Sequence, residues 1–532
     1  MKQARQNLII LHYHLRPGGV TQVIRRAIPI LTAHEKKLTH LYLAGGEEIP
    51  SPSWLPALQK KVAPLSVLQR VDLSLNYFSE QRCSPAKIRQ SLRCFFNQLF
   101  EEAEATTENT VVWAHNLGLA RNVLLSAEIS NLCLDKKIPL LSQHHDLWFD
   151  NRWQHWRAAK KAGCKSEAAL ASIIFPNRPG VVHAAINQQD EKFFHQFGDK
   201  RSLWLPNVSP SFERPPEQKI QQTRAWLTKK INLKKGSESR IWLNPCRLLR
   251  RKNLLEALLL MRWFDPQAEL ISAGEASSEQ EHPYARRIAE TAKKEGWPLH
   301  LAILSGTDST APGIEEMMAA SDVLALTSLQ EGFGLTFLEA AFFGKPIVCR
   351  ELPNVGPDLA KFGFQFPLAY TDVAVARTLF DEEREIRCQE KLWLQWKNEL
   401  PASVQPLAEK PELLISLDSP SVSFSRLSLT AQIEVLMHAP QKSRQESRPF
   451  NQKLNEAFAI PVNEFPPIKW PTTAAKHLSA EAWAANFQRG VHQAKGFFVT
   501  SEKKSSAALQ KAFMASNLRS ANIFPLLLET DL

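Results

Sequence analysis
Short apolar runs of β-forming residues alternate with amphipathic stretches of helical period along most of this chain, and the alternation occurs twice. LIILHYH, HLYLAG, TVVWAH and IPLLSQHH read as strands ahead of about Phe212, with GGVTQVIRRAIPILT as a helix among them. A Pro-rich polar break, NVSPSFERPPEQ, and the charged helical stretch EQKIQQTRAWLTKK interrupt the pattern. It then restarts, with RIWLNPC, AELISAG, LHLAILSG, DVLALTS and KPIVCR as strands and NLLEALLLMRWF, IEEMMAAS and LTFLEAAFFG as helices. Strands separated by helices pair in parallel through crossovers. The expected fold class is therefore α/β, with one unit over residues 1–212, a linker over 213–236 and a second unit over 237–440. SLTAQIEVLMHA reads as the helix that closes the second unit. Residues 441–532 form an extension, mostly helical or irregular, without a catalytic signature.

At roughly 100–200 residues per domain, 532 residues leave room for about three folding units, which matches two α/β units and an extension. A 44% hydrophobic share excludes a disordered or collagen-like chain. The seven cysteines are odd in number and scattered, never C-x-x-C, which argues against a disulfide framework and against structural zinc. No apolar run reaches the roughly 18 residues of a membrane span, and the opening MKQARQNLIILHYHLRP turns polar too soon for a secretory signal, so the expected location is cytoplasmic. A formal charge of +11 favours anionic partners, whether nucleotides, phosphate esters, anionic lipid or nucleic acid.

The most informative segment is TSLQEGFGLTFLEAAFFGKPIV. A strand ends near Ser328, a glycine-containing loop carries Glu331, Gly332, Phe333 and Gly334, and a helix opens at Leu335 and Thr336 with Glu339 inside it. Free N–H groups at such a helix start suit an anion. Were the span wholly helical, the two carboxylates would stand about 12 Å apart. That exceeds the roughly 5–5.5 Å of a retaining hydrolase pair, so both read as hydroxyl binders. The plain alternative is an ordinary loop–helix junction with solvated carboxylates.

Glu331 and Glu339 with GFGL between them resemble the E-x7-E motif of retaining glycosyltransferases of family 4, which have the GT-B fold of two Rossmann-like domains facing across a cleft. Over roughly residues 7–360 other segments are similar as well. NPCRLLRRKNLLEAL resembles the strand–loop–helix in which an Arg and a Lys grip the donor diphosphate, here Arg247 and Lys252. HLRPGGVTQVI resembles the glycine loop of the N-terminal, acceptor-side domain, giving Gly18 and Gly19. LLSQHHDLWF resembles the strand end with a His near the reaction centre, which maps to His145, and WLPNVSP places Asn207 in the position of the family's PN.

The resemblance implies transfer of a hexose from a nucleotide-sugar with retention, with no cofactor and no metal. Arg247 and Lys252 would stabilise the leaving diphosphate, Glu339 would hold the ribose, and Glu331 would hold a sugar hydroxyl. His115 ends another strand and reaches the same region on a weaker, acceptor-side reading. A metal shared by His144, His145 and Asp146 is disfavoured, because adjacent strand residues point to opposite faces. The acceptor stays open among a sugar, a lipid-linked and a small-molecule compound; a lipid-linked one would bring peripheral contact with an anionic membrane at its inner face. No nucleic acid is expected as partner. Two alternatives stand beside this reading: a degenerate GT-B scaffold that uses its charge to bind nucleic acid or a membrane surface, and a GT-B sugar-nucleotide epimerase or phosphorylase.

Overall fold
The computed structural model describes residues 6–16, 18–35, 37–49, 54–150, 152–209, 213–233, 239–276, 279–306, 310–496 and 505–529. The expected boundaries at Phe212 and at residue 236 lie outside them. The chain forms two compact units. One comprises Met1–Ser209, Glu399–Leu407 and Ala475–Asn517, the other Pro210–Asn398, Ala408–Ala474 and Leu518–Leu532.

The first unit is built on seven strands, β1 (Asn7–Leu11), β2 (His40–Gly45), β3 (Ser66–Val71), β4 (Thr110–His115), β5 (Leu140–His144), β6 (Val181–Ala185) and β7 (Leu203–Trp204), in the order β3-β2-β1-β4-β5-β6-β7. All pair in parallel. Successive side chains of a strand point to opposite faces. Leu8 and Ile10 accordingly join Leu41, Leu43, Trp113 and Leu141 in one core. The helix Gly19–His34 buries Val23, Ile24, Ala27, Ile28 and Leu31, so its apolar stripe is spent on packing and only its basic face meets solvent.

Residues of the expected C-terminal extension complete this unit. Trp483 and Phe487 of the helix Ala480–Lys495 sit in the same core, and Trp483 Nε1 donates to the Pro206 carbonyl at 2.8 Å. A Cβ on Gly490 would lie 3.1 Å from methyl groups of both Leu141 and Leu203, so the helix approaches the sheet along a side-chain-free notch. Further on, Phe513 of the helix Ser506–Asn517 stacks on Phe193 at 4.7 Å, and Gln510 accepts from Trp148 Nε1 at 3.1 Å.

The second unit has six parallel strands, β8 (Ile241–Arg247), β9 (Glu269–Gly274), β10 (Leu299–His300), β11 (Val323–Leu326), β12 (Ile347–Arg350) and β13 (Leu368–Tyr370), in the order β10-β9-β8-β11-β12-β13. LHLAILSG, expected as one strand, contributes only Leu299–His300, because Ala302 takes a left-handed φ of 50° that turns the chain out of the ladder. The helix Leu429–Met437 lies in this unit, together with residues 408–474 and the chain from Leu518 onward. Arg426 donates to the carbonyls of Ser520, Ala521 and Ile523 and stacks over Phe524 at 4.0 Å. The α/β class with two Rossmann-like domains and a helical C-terminal region is thus the architecture observed.

One buried polar network fixes the start of the helix Leu254–Phe264. Glu256, wholly buried in its first turn, accepts from Arg350 at 2.6–3.2 Å, from the Tyr370 hydroxyl at 2.6 Å and from Asn253 Nδ2 at 3.0 Å. Arg350 also reaches the Thr371 carbonyl and Asp372, each at 2.6 Å.

Candidate active site
In an open parallel sheet, ligands bind beyond the carboxyl ends of the strands where the strand order reverses. In the second unit that point lies between β8 and β11. The chain after β8 makes a short 3-10 turn, Arg250–Lys252, and Asn253 follows at φ 47°. Thr327, just beyond β11, donates from Oγ1 to the carbonyls of Lys252 and Asn253 at 3.1 and 3.0 Å, which ties the two loops together. Lys252 pairs with Glu331 through Nζ and Oε1. Arg251 Nη1 donates to Glu331 Oε2 at 3.2 Å and to the Gln330 carbonyl at 3.0 Å, the Ser328 hydroxyl donates to Glu331 Oε1 at 2.7 Å, and Asn354 Nδ2 donates to the Glu331 carbonyl at 2.6 Å. Arg251, Ser328 and Asn354 were not among the residues singled out from the sequence. RLLRRK offered four basic residues, of which the resemblance picked out only Arg247 and Lys252.

Burial alone would raise the Glu331 carboxyl, but Lys252 and Arg251 beside it overcome that and bring it from the usual 4.5 down to about 2. A carboxylate depressed on folding contributes stability that is present above its unfolded pKa and is lost as pH falls through the folded value. Glu331→Gln is therefore expected to narrow the stability gap to the parent chain as pH falls from about 5 toward 2. Urea midpoints of both chains at each pH measure this, and a gap that stays constant over that window would disprove it.

Gly334 stands at φ 81° directly before the helix Leu335–Phe342, and a Cβ there would lie 2.7 Å from Val355 Cγ1, so the tight entry requires glycine. Phe333 is buried, Gly332 is half-buried, Leu335 and Thr336 open the helix, and Glu339 lies half-buried within it. Arg247, the last residue of β8, is exposed and passes over Gly274, where a Cβ would come within 3.2 Å of its Cγ. A cavity of about 570 Å³ lined by Lys230, Trp297 and His300 lies at the β10 edge and shares no residue with this group.

In the first unit the order reverses between β1 and β4. His115 and His145, at the ends of β4 and β5, meet there, with His115 Nδ1 and His145 Nε2 at 2.9 Å. His145 N donates to Asn116 Oδ1 at 2.7 Å, and the Asn207 side chain hydrogen-bonds its ring. Burial lowers His145 to about 4, against the opposing pull of Asp146 and Asn207. His145 is accordingly neutral at pH 7 and can donate or accept one hydrogen bond without bringing charge. His12 joins the group, its ring 6.2 Å from that of His115. It sits in HYH, directly after β1, where only the adjacency of β1 and β4 makes it a neighbour. His144 faces the other way, onto His183 at 3.0 Å and Phe194, so the adjacent histidines do occupy opposite faces. Gly18 is extended, and a Cβ on Gly19 would meet nothing within 4 Å. Their glycines are therefore not demanded by packing, and the start of the helix Gly19–His34 is open to close approach.

Residues 228–364 match the family described as glycosyl transferases group 1. The match covers 137 of the 532 residues. Each unit carries a parallel Rossmann-like sheet. Over 351 residues the chain is 26% identical to the mannosylglucosyl-3-phosphoglycerate synthase of Petrotoga mobilis, covering 65% of each protein, so it spans just under two thirds of that relative's length. Over 316 residues it is 23% identical to the mannosylglucosylglycerate synthase of the same organism, covering 54% of this chain and 68% of that one. Among solved structures it is similar to Anabaena HepE in complex with UDP-glucose, with TM-score 0.45, 16% identity and coverage of 85% of this chain and 99% of that one. It is also similar to the sucrose-phosphate synthase of Thermosynechococcus elongatus, with TM-score 0.45, 16% identity and coverage of 65% and 82%. Among the described residues, no helix is long and apolar enough to cross a membrane.

Proposed function
We propose that this protein is a retaining glycosyltransferase of family 4 type, which moves a hexose from a nucleotide-sugar to a small hydroxylated acceptor without a metal. The observation that carries the reading is the Lys252–Glu331–Arg251 cluster at the β8/β11 reversal, directly ahead of the helix entry at Gly334. Lys252 has three N–H donors, of which Glu331 engages one. Together with Arg247 and the free amides of the helix start it can stabilise charge growing on the β-phosphate as the glycosidic bond breaks. Glu331 stays ionised at neutral pH and so accepts a sugar hydroxyl rather than giving up a proton. Glu339 is assigned to the ribose, Gly18 and Gly19 to the donor, neutral His145 to the reaction centre and His115 to the acceptor side. The two Petrotoga relatives are named as synthases of glycosylated glycerates, one of them phosphorylated. The acceptor class proposed here is accordingly a glycoside of a small acid, which removes the need for a membrane contact.

The test presents the full chain, in excess EDTA, with UDP-, GDP- and ADP-hexoses and either glycerate or glucosylglycerate, and follows nucleoside diphosphate release and the anomeric proton of the product by NMR. One donor is expected to give product of unchanged anomeric configuration. Salt-sensitive nucleic-acid binding with no nucleoside diphosphate binding would replace this reading by the scaffold alternative.

A further inference from the structure
Arg121 follows β4 at the reversal point of the first unit, within the loop that closes with the turn Leu117–Leu119. It is half-buried, its Nε is inaccessible to solvent and unpaired, and its guanidinium makes no hydrogen bond or ion pair with any described residue. A guanidinium has five donors, and an Nε–H taken out of water without an acceptor is costly, while the remaining donors stay open to a ligand. The Tyr77 ring faces it, with its centroid 4.8 Å from Cζ, and offers a cation–π contact but no carboxylate.

The acids nearby are committed elsewhere. Glu47 and Glu80 are held by Arg16 at 2.9 and 3.0 Å, and Asp146 pairs with Arg152 at 3.0 Å. Arg152 approaches Arg121 closely enough to repel it, and burial with that repulsion pushes the Arg121 guanidinium down from its ordinary range. His155 adds a second unpartnered atom. Its Nδ1 bonds the Leu119 carbonyl at 2.8 Å, and its buried Nε2 has no partner. The loop is held rigidly, since the Arg121 carbonyl accepts from Phe78 N at 2.8 Å and Asn122 Nδ2 donates to the carbonyls of Ser74 and Asn76 at 2.8 Å each. A half-buried cation thus stands at the place where a parallel sheet binds its ligand, with Arg152, itself paired with Asp146, close by.

We propose that Arg121, supported by Arg152, is the recognition site for an anionic group of the acceptor, a carboxylate or a phosphate, gripped by the planar guanidinium fork. This rests on the transferase reading for the word acceptor but not for the anion site itself. It makes the first unit selective for acids over neutral polyols, because a neutral ligand leaves the guanidinium as unpaired as it is now.

The experiment titrates the full chain with 3-phosphoglycerate, glycerate and glycerol by NMR at constant ionic strength set with sodium chloride, and separately with UDP and GDP. The parent chain is expected to bind at least one of the two acids at least tenfold more tightly than glycerol. A large excess of 3-phosphoglycerate over glycerate marks the phosphate as the recognised group, and parity marks the carboxylate. Arg121→Gln should bring both acids to within threefold of glycerol, Arg121→Lys should recover part of the preference, and neither should change nucleoside diphosphate binding or the melting midpoint. Arg152→Gln should cost at least threefold in acid binding and serves if Arg121→Gln fails to fold. A parent chain without acid preference, or an undiminished preference in folded Arg121→Gln, overturns the proposal. Acid binding that depends on Arg121 in a chain that transfers no sugar overturns the transferase reading alone. Transfer to an acidic acceptor whose KM is unchanged by Arg121→Gln overturns the anion site alone.

Discussion

Lys252→Met is expected to lower kcat/KM for sugar transfer by about 10²–10³-fold, the scale on which loss of one preorganised stabiliser of transition-state charge is felt. Most of the loss should fall on kcat, because charge on the β-phosphate builds only as the bond breaks. The substitution also removes one cation from buried Glu331, leaving Arg251 and Ser328 as its partners, so some loss of stability should accompany it. The double variant Lys252→Met/Glu331→Gln separates the two effects. Thermal stability should recover toward that of the parent chain while turnover stays low. Parent-like turnover in Lys252→Met would remove this residue from the site, and a double variant that regains activity would reduce Lys252 to a mere counter-ion for Glu331.

The second large effect is expected at Arg350. Arg350→Met leaves Glu256 fully buried with only Tyr370 and Asn253 as donors, and an uncompensated buried charge of this kind costs about 3–5 kcal/mol. Asn253 follows Lys252 directly and the helix Leu254–Phe264 begins on this network, so the loop that carries Lys252 should loosen as well. Calorimetric unfolding should show a lower transition for Arg350→Met. The combined Arg350→Met/Glu256→Gln should be much less affected than the sum of the single changes, since the pair acts as one unit. Additive losses would show that the two side chains stabilise the unit independently.

What was legible in the sequence follows from burial. β1, β4, β5, β8 and β11 are buried along nearly all of their length and carry short apolar runs. β3 went unread because, at the sheet edge, its SVLQRV carries half-exposed Gln69 and Arg70. β7 is only two residues long, and its identity depends on lying beside β6. The helix entry at Leu335 was legible because glycine and a change of period mark it locally. The engagement of Glu331 by Arg251, and the meeting of His12 with His115, depend on loops and strands far apart in the chain. Arg121 sits in a loop without any motif, and only its missing partner distinguishes it.

Nothing in the residues of the helix Ala480–Lys495 names the sheet it covers. That distance along the chain has a consequence for biosynthesis. The first unit draws on residues up to Asn517, some 300 positions after its last strand. At about 5–20 residues per second, a ribosome needs roughly 15–60 s to bridge that interval. Throughout it, the face that holds Trp113, Leu141 and Leu203 waits without Trp483 and Phe487. Maturation of the first unit is therefore tied to the synthesis of residues 475–517, and the nascent half-sheet is the stage at which holding chaperones would find it.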